Sequence, residues 1–448
     1  MKFNLYLIDS GKTIKDAMYK ISKNKKRIIY IINKKKIIIG SVSDGDIRRY
    51  LLKGGTIKEN IQRCSNKDFK YVSDEKDTDK ILKLLDQKFE VIPVLDQKKK
   101  VIKFIERKDI NLFNKNIIVR SRSPARISFV GGGTDVTKYF FEKSGASISF
   151  TINKFCNVHL KKRNDEKIII SSNDFNKKII LKKNENIKYD GNLDLIKSCI
   201  KLLKPSFGFE IFVETDVKPG SGLGGSAAVS SAVIGAINYI QPYKLNKYQI
   251  AELAFQVERI ELGVTGGWQD QYSTVFGGCN FMEYSENKNL VQNLILPNNL
   301  FDELERRIIL CDTNMPHKGS AMQTKLSKNE KIDDYGKKSK VLFNKIKEDL
   351  LRGKVSNIGK LIQSSWDLKK KLDKNMTNKK ILDLEKKLCN KSLADGCRLL
   401  GTGGGGYMLF YIQPKNWFNF LNKIKSMNLS YYPIKFDTKG LNVWETEI

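Results

Sequence analysis

Between Val217 and Val233 the chain reads VKPGSGLGGSAAVSSAV, with glycine at 220, 222, 224 and 225. Glycine at that density destabilises the interior of a helix or a strand, so the stretch has to be a turn. The segment before it, FGFEIFVETDV, is strand-like. After it, Val229, Val233, Ala236, Ile237 and Ile240 recur at helical spacing, with Ser226 at the helix start. A strand, a glycine loop and a helix in series aim several backbone N–H groups and the positive end of a helix dipole at one point, which is an anion site. The lysine of the Gly-x-x-x-x-Gly-Lys-Ser/Thr loop is missing, so positive charge must come from another source.

Three other stretches carry chemistry. In SRSPARISFVGGGTDVTKYF (121–140) a strand runs into three glycines and then Thr134 and Asp135, a turn that presents a hydroxyl and a carboxylate. In AELAFQVERIELGVTGGWQDQYSTVFGG (251–278) Ile250, Leu253, Ala254 and Val257 make an apolar helical stripe with Glu258 at its edge. Gly263 ends that helix, and a second glycine turn delivers Asp270. Each acid alone reads equally as solvated surface; two of them soon after a phosphate loop favour a site. In DGCRLLGTGGGGYMLFYI (395–412) two strand-like runs flank glycines at 401 and 403–406, which pack nothing themselves and imply close backbone approach to something.

A chain of 448 residues exceeds one hydrophobic core, so two or three domains are expected. The first is marked by an internal repeat. RIIYIINKKKIIIGSVSDGDI (27–47) falls without a gap on EVIPVLDQKKKVIKFIERKDI (90–110). Each copy reads as strand, lysine-rich turn, strand and acidic helix start, so two copies should pack as a pair. NLFNKN (111–116) is the expected linker, after which an α+β texture begins.

Lys+Arg 81 against Asp+Glu 49 gives a net charge of +32, but the lysines are spread along the whole chain among Asn and Ile. That argues for compositional drift and against a nucleic-acid stripe; the basic field would still attract phosphorylated metabolites. Seven scattered cysteines make neither a disulfide framework nor a metal knuckle. No run approaches the roughly 20 apolar residues of a membrane span, and the start lacks a signal-like stretch, so a cytoplasmic protein is expected. His159 and His317 are the only histidines and are expected in structural or surface roles.

The repeat resembles a tandem cystathionine-β-synthase-type (CBS) pair, a common adenosine-nucleotide sensor. The ribose-holding Gly-x-x-Ser/Thr-x-x-Asp run of that family is present as Gly40, Ser43 and Asp46; the second copy has Lys103, Glu106 and Asp109. The resemblance implies at most one ligand site, and a purely structural or dimerising pair stays open. The glycine segments, in their order, resemble the three motifs of the GHMP small-molecule kinases: PGSGLGGSAA is similar to the family's phosphate loop, with Gly225 where serine is common, and LGTGGGGY to its C-terminal motif. RSRSPARISFVGGGTDV and GGWQDQYSTVFGG are most similar to the version found in bacterial heptose 7-phosphate kinases, with fucokinase-like enzymes next.

That resemblance implies an α+β, two-lobed fold, with a ribosomal-protein-S5-like lobe over 117–310 and a ferredoxin-like lobe over 311–448, behind a CBS pair over 1–115. It implies ATP and Mg²⁺ as cofactors and phosphorylation of the anomeric hydroxyl of D-glycero-D-manno-heptose 7-phosphate to the 1,7-bisphosphate, toward nucleotide-activated heptose and surface polysaccharide. By position in the motifs, Pro219, Gly220, Ser221, Gly222, Leu223, Gly224, Gly225 and Ser226 would hold ATP, and Ser226 and Glu258 would hold Mg²⁺. Asp270 would be the base and Arg126 the charge-stabilising partner. Thr134, Asp135, Gly403, Gly404 and Gly405 would face the sugar. A substrate phosphate needs a second anion site, for which Arg122, Lys154 and Lys318 are candidates by position only. The resemblance leaves a homodimer through the CBS pair open; no specific nucleic acid and no membrane are expected. Two alternatives stay open: another sugar 1-kinase, and a nucleotide-sensing protein whose kinase module is inactive.

Overall fold

The computed structural model describes residues 2–74, 77–87, 89–106, 117–183, 185–294, 296–315, 331–389 and 393–447. His317, Lys318, Asp109 and the 111–116 linker therefore lie outside the described residues. The chain divides into two compact units, Met1–Lys115 and Asn116–Ile448.

The first unit holds β1 (Leu7–Asp9), α1 (Ile14–Asn24), β2 (Ile28–Ile32), β3 (Ile38–Ser43), α2 (Asp44–Leu52), α3 (Thr78–Asp86), β4 (Val91–Leu95) and β5 (Val101–Glu106). Strands β1, β2 and β3 form one sheet and β4 with β5 another, so each copy of the repeat contributes the antiparallel pair that its alternating strands predict. The halves share an aromatic-rich core that includes Tyr6, Tyr30, Val91 and Leu95. The Tyr30 hydroxyl donates to the Val91 carbonyl at 2.8 Å. The Tyr6 hydroxyl donates to Glu106 Oε1 at 2.8 Å, and Lys26 stands 3.5 Å from the same carboxylate. Where the first copy has Ser43, the second thus has a buried acid tied to the first copy.

The second unit begins with β6 (Ile117–Val130), α4 (Thr137–Lys143), β7 (Gly145–Lys162), β8 (Lys167–Ser172), β9 (Lys177–Lys182), α5 (Asp194–Leu203) and β10 (Phe209–Thr215). It continues with α6 (Gly225–Ile240), α7 (Lys247–Phe255), α8 (Gln269–Phe276), β11 (Cys279–Tyr284), β12 (Asn289–Leu294) and α9 (Asn298–Arg307). It closes with β13 (Ile308–Asp312), α10 (Ile332–Leu351), α11 (Ile358–Leu372), α12 (Lys379–Leu388), β14 (Gly396–Leu399), β15 (Tyr407–Tyr411), α13 (Trp417–Ser426), β16 (Tyr431–Pro433) and β17 (Asn442–Glu447).

An eight-stranded sheet runs β12-β11-β7-β10-β8-β9, with β6 pairing β7 and β17 pairing β6. A four-stranded antiparallel sheet runs β14-β15-β13-β16. The expected lobe boundary at 310/311 falls inside β13, and the last strand returns to the first lobe's sheet, where Trp444 faces Arg120. The two lobes are therefore laced together by the chain's own end.

Strands β6 and β7 kink where Pro124 pairs with Phe155 and the next residue, Ala125, pairs with Ile152. Asn153 and Lys154 are the extra residues of this bulge, a place where proline is tolerated because its missing N–H is not needed. On one side of the kink Val119, Cys156 and Val158 pack on α5, α6 and α8; on the other, Ala125, Ile127, Phe129, Ile148 and Phe150 meet Phe343, Ile346 and Ile362 of α10 and α11. Residues of β6 alternate in direction, so Arg126 leaves between Ala125 and Ile127 on the opposite side, toward α8 and the glycine loop. No helix among the described residues is long and apolar enough to cross a membrane.

Candidate active site

A pocket of about 550 Å³ lies wholly within the second unit. The glycine loop forms one wall. Gly220, Gly222 and Gly224 all have positive φ (72°, 78° and 73°), and α6 starts immediately after Gly224. Pro219 to Gly222 and Gly224 to Ser226 border the pocket, with the Ser226 hydroxyl exposed in the first turn of α6. Leu223 does not border it. Its side chain is 2% exposed in the second core and its carbonyl accepts from Arg126 N at 2.9 Å, so it anchors the loop where contact with ATP was expected.

The C-terminal glycines explain themselves through the same loop. A Cβ on Gly222 would lie 2.6 Å from the Leu400 carbonyl oxygen, and one on Gly406 would lie 2.5 Å from that of Ser221. The two glycine motifs thus pack backbone on backbone, and Tyr407 N donates to Ser221 O at 3.0 Å. Gly401 and Thr402 reach the pocket. Gly403 and Gly404 pack against Met376, and neither they nor Gly405 line the pocket, which corrects their expected place at the sugar.

Arg126 and Asp270 meet at the centre. Nε bonds Oδ1 at 2.8 Å and Nη2 bonds Oδ2 at 2.7 Å, a fork-to-fork pair, while Nη1 donates to the Gly222 carbonyl at 2.6 Å. Arg126 is buried and Asp270 partly open, so the carboxylate is the member a ligand can reach. Asp270 sits in the first turn of α8, where the helix dipole favours negative charge.

Asp135 shares this end of the pocket. Its carboxylate accepts from Gly133 N at 2.8 Å and Gln269 N at 3.0 Å, which joins the first glycine turn to the start of α8. Burial, then the neighbouring Asp270 charge, push its carboxyl up. Thr134 does not face the pocket. Its hydroxyl is buried, with its one proton placed between the carbonyls of Gly131 (2.8 Å) and Ala146 (3.0 Å) while it accepts from Ala146 N, so it clamps the turn away from the pocket.

Glu258 lies in a π-helical turn, Gln256–Glu261, that continues α7. Such wide turns recur at functional sites because they redirect one side chain out of helical register. The carboxylate borders the pocket yet is only 4% exposed. Oε1 accepts from Gln271 Nε2 at 2.7 Å, and Arg259 Nη1 is a distant 3.5 Å from Oε2. Burial pushes its pKa up, so the carboxylate would gain from a cation. A buried acid and an exposed hydroxyl on one pocket fit a hard cation such as Mg²⁺, which takes a few protein oxygens and keeps others for phosphate and water.

The other expected residues do not meet there. Arg122 lies over the Phe155 ring at 4.3 Å and Lys154 over the Tyr432 ring at 5.1 Å, both off the pocket wall. His159 packs beside Phe212 in the sheet. In the first unit Ser43 and Asp46 bond each other as the capping box of α2, Ser43 Oγ to Asp46 Oδ2 at 2.7 Å, and Gly40 lets β3 pass close to Ser65 and Asn66. Among the pocket residues with no place in the sequence reading are Gln269, Lys369 and Arg398.

Comparison with known proteins agrees with this architecture. The GHMP kinases N terminal domain family matches residues 194–278, which span the glycine loop, Glu258 and Asp270, and the CBS domain family matches residues 1–53. A D-glycero-alpha-D-manno-heptose 7-phosphate kinase of Campylobacter jejuni is 31% identical over 339 residues, covering 73% of this chain and 98% of its own. A solved Campylobacter jejuni structure aligns with a TM-score of 0.62 at 31% identity over 73% of this chain and 98% of that one. A D-glycero-D-manno-heptose 1-phosphate kinase structure from Bacteroides thetaiotaomicron gives 0.60 at 26% identity, over 74% and 100%. With its two-lobed fold, its paired glycine motifs and this relative, the chain belongs to the GHMP kinases, as a sugar kinase that carries a CBS domain at its N-terminus.

Proposed function

We propose that the chain transfers the γ-phosphoryl group of ATP to the anomeric hydroxyl of D-glycero-D-manno-heptose 7-phosphate, giving the 1,7-bisphosphate and ADP in the synthesis of nucleotide-activated heptose. The observation that carries the catalytic reading is the Arg126–Asp270 fork held to the Gly222 carbonyl, which fixes a carboxylate and a cation beside the phosphate loop. The sugar is chosen by similarity to the Campylobacter jejuni heptose 7-phosphate kinase.

Phosphoryl transfer needs positioning and charge neutralisation more than covalent chemistry from the protein. The amides of Gly220, Gly222 and Gly224 to Ser226 and the N-terminus of α6 cradle the β- and γ-phosphates. Phe175, Leu195, Val213 and Val229 give the pocket an apolar wall suited to the flat base. Ser226 and Glu258 would hold Mg²⁺, which would supply positive charge against the phosphates of ATP. Asp270 takes the proton as the acceptor oxygen attacks the γ-phosphorus and the bond to the ADP oxygen breaks. Arg126 orients Asp270 through the two-bond fork and balances charge as the phosphoryl group passes. Asp135 holds the glycine turn against α8 and offers its edge to a sugar hydroxyl.

In the first unit, an adenosine nucleotide would meet the β3–α2 turn at Gly40, Ser43 and Asp46, by likeness to CBS pairs. The test of the main reading is ADP release across a panel of sugars and sugar phosphates. Turnover is expected with the heptose 7-phosphate; turnover with unphosphorylated sugars alone would reject that substrate.

A further inference from the structure

Two buried cations line the pocket without a part in the chemistry above. Lys369, on α11, is 4% exposed, and Arg398, on β14, is 1% exposed. The Lys369 ammonium donates to the Gly401 carbonyl. Arg398 Nη1 donates to the Phe129 carbonyl at 3.2 Å and to the Ser365 hydroxyl, and its Nε has no partner. Among the described residues neither forms an ion pair, whereas Arg126 beside them has its own acid. Burial, then the nearby Arg398 and Arg126 charges, hold the Lys369 amine well below its ordinary range.

The surroundings point to what is missing. A Cβ on Gly132 would lie 3.7 Å from Arg398 Nη2 and 3.5 Å from Gln269 Oε1, so the guanidinium edge and the amide border the same turn, with the Tyr335 hydroxyl, which donates to the Gly132 carbonyl at 2.8 Å, as a neutral neighbour. Gln269 Nε2 is buried and also unpartnered. Burying a cation without an ion-pair partner is costly, and an unmet buried donor adds to that. A neutral sugar hydroxyl supplies no counter-charge. A phosphate group supplies two negative charges and enough oxygens for an ammonium, a guanidinium and an amide together.

We propose that Lys369 and Arg398, with the Gln269 amide, form a second phosphate-binding site at the acceptor end of the pocket. The inference rests on reading this pocket as a sugar kinase site. The phosphate is either the ester phosphate of the acceptor or the γ-phosphoryl group in flight, and kinetics separate the two.

The experiment compares full-length wild type with Lys369→Met, Lys369→Arg and Arg398→Met. Steady-state kinetics use ATP with heptose 7-phosphate and with unphosphorylated heptose, and calorimetry uses inorganic phosphate. A Lys369→Met variant whose KM for heptose 7-phosphate rises at least tenfold, with KM for ATP within twofold and recovery in Lys369→Arg, assigns the site to the ester phosphate. A kcat that falls at least a hundredfold on both acceptors with both KM values kept assigns it to the γ-phosphoryl group. Kinetic constants and phosphate affinity all within twofold of wild type in both Met variants would overturn the proposal. If wild type turns over no sugar phosphate, the substrate reading fails by itself, and phosphate affinity still decides this site: loss in the Met variants supports it and equal binding overturns it.

Discussion

Arg126 and Asp270 lie 144 residues apart in sequence and meet in a two-bond fork, Nε to Oδ1 at 2.8 Å and Nη2 to Oδ2 at 2.7 Å, while the third guanidinium nitrogen holds the phosphate loop at Gly222. One side chain thus ties the proposed base to the glycine loop, and moving either end should disturb the other.

Asp270→Asn keeps the side chain's shape but puts an NH2 in place of one acceptor of the fork and removes the charge and the proton acceptor. The expected loss in kcat is about 10²–10⁴-fold with ATP affinity kept within a few-fold, measured by coupled ADP release and equilibrium nucleotide binding. Retention of more than about a tenth of the wild-type rate would contradict the general-base role.

Glu258→Gln preserves the bond from Gln271 and removes the buried charge. The Mg²⁺ concentration for half-maximal rate should rise about tenfold, equivalent to roughly 1.4 kcal/mol of lost metal affinity. A metal titration of the rate checks it, and an unchanged midpoint counts against Glu258 as a ligand.

Gly222 has φ of 78° and no room for a Cβ beside the Leu400 carbonyl. Gly222→Ala should cost about 1–3 kcal/mol of stability through strain and displacement of the loop. Thermal unfolding should show a lowered Tm, and the KM for ATP should rise in the same variant.

Lys369→Met should stabilise the free protein, since it replaces a buried cation that has no ion-pair partner with an apolar side chain. The groups facing Lys369 are Arg398 from β14, Arg126 from β6, and the acids Asp135 and Asp270. Its folded-state pKa is depressed, so the penalty is fully present below that value and disappears as pH rises toward the ordinary lysine range. The gain in Tm is therefore expected to be larger at pH 7 than near pH 10, by scanning calorimetry at both. A variant less stable than wild type at pH 7 would show that Lys369 serves packing.

The sequence made much of the site legible because glycine loops need specific backbone shapes. The strand, loop and helix around Gly220–Ser226 were readable from spacing alone. What the loops pack against was not: the C-terminal glycines approach the phosphate loop itself, a contact between segments about 180 residues apart. Thr134 looked like a ligand because a hydroxyl beside an acid suits a sugar, yet its bonds go to the turn that it closes. Lys369 was hidden in the lysine-rich run DLKKKLDK of a lysine-rich chain. The signal was nonetheless present: Ile358, Ile362, Trp366, Lys369 and Leu372 share the buried face of α11, so Lys369 stands on an apolar stripe while Lys370 pairs with Glu385 outside it.

The most direct test of the account is ³¹P and ¹H NMR of the product formed from ATP and D-glycero-D-manno-heptose 7-phosphate. The account predicts a second phosphate resonance coupled to the anomeric proton, with one ADP released for each. A new phosphate on any other carbon, or ATP hydrolysis with the sugar phosphate left unchanged, would contradict it.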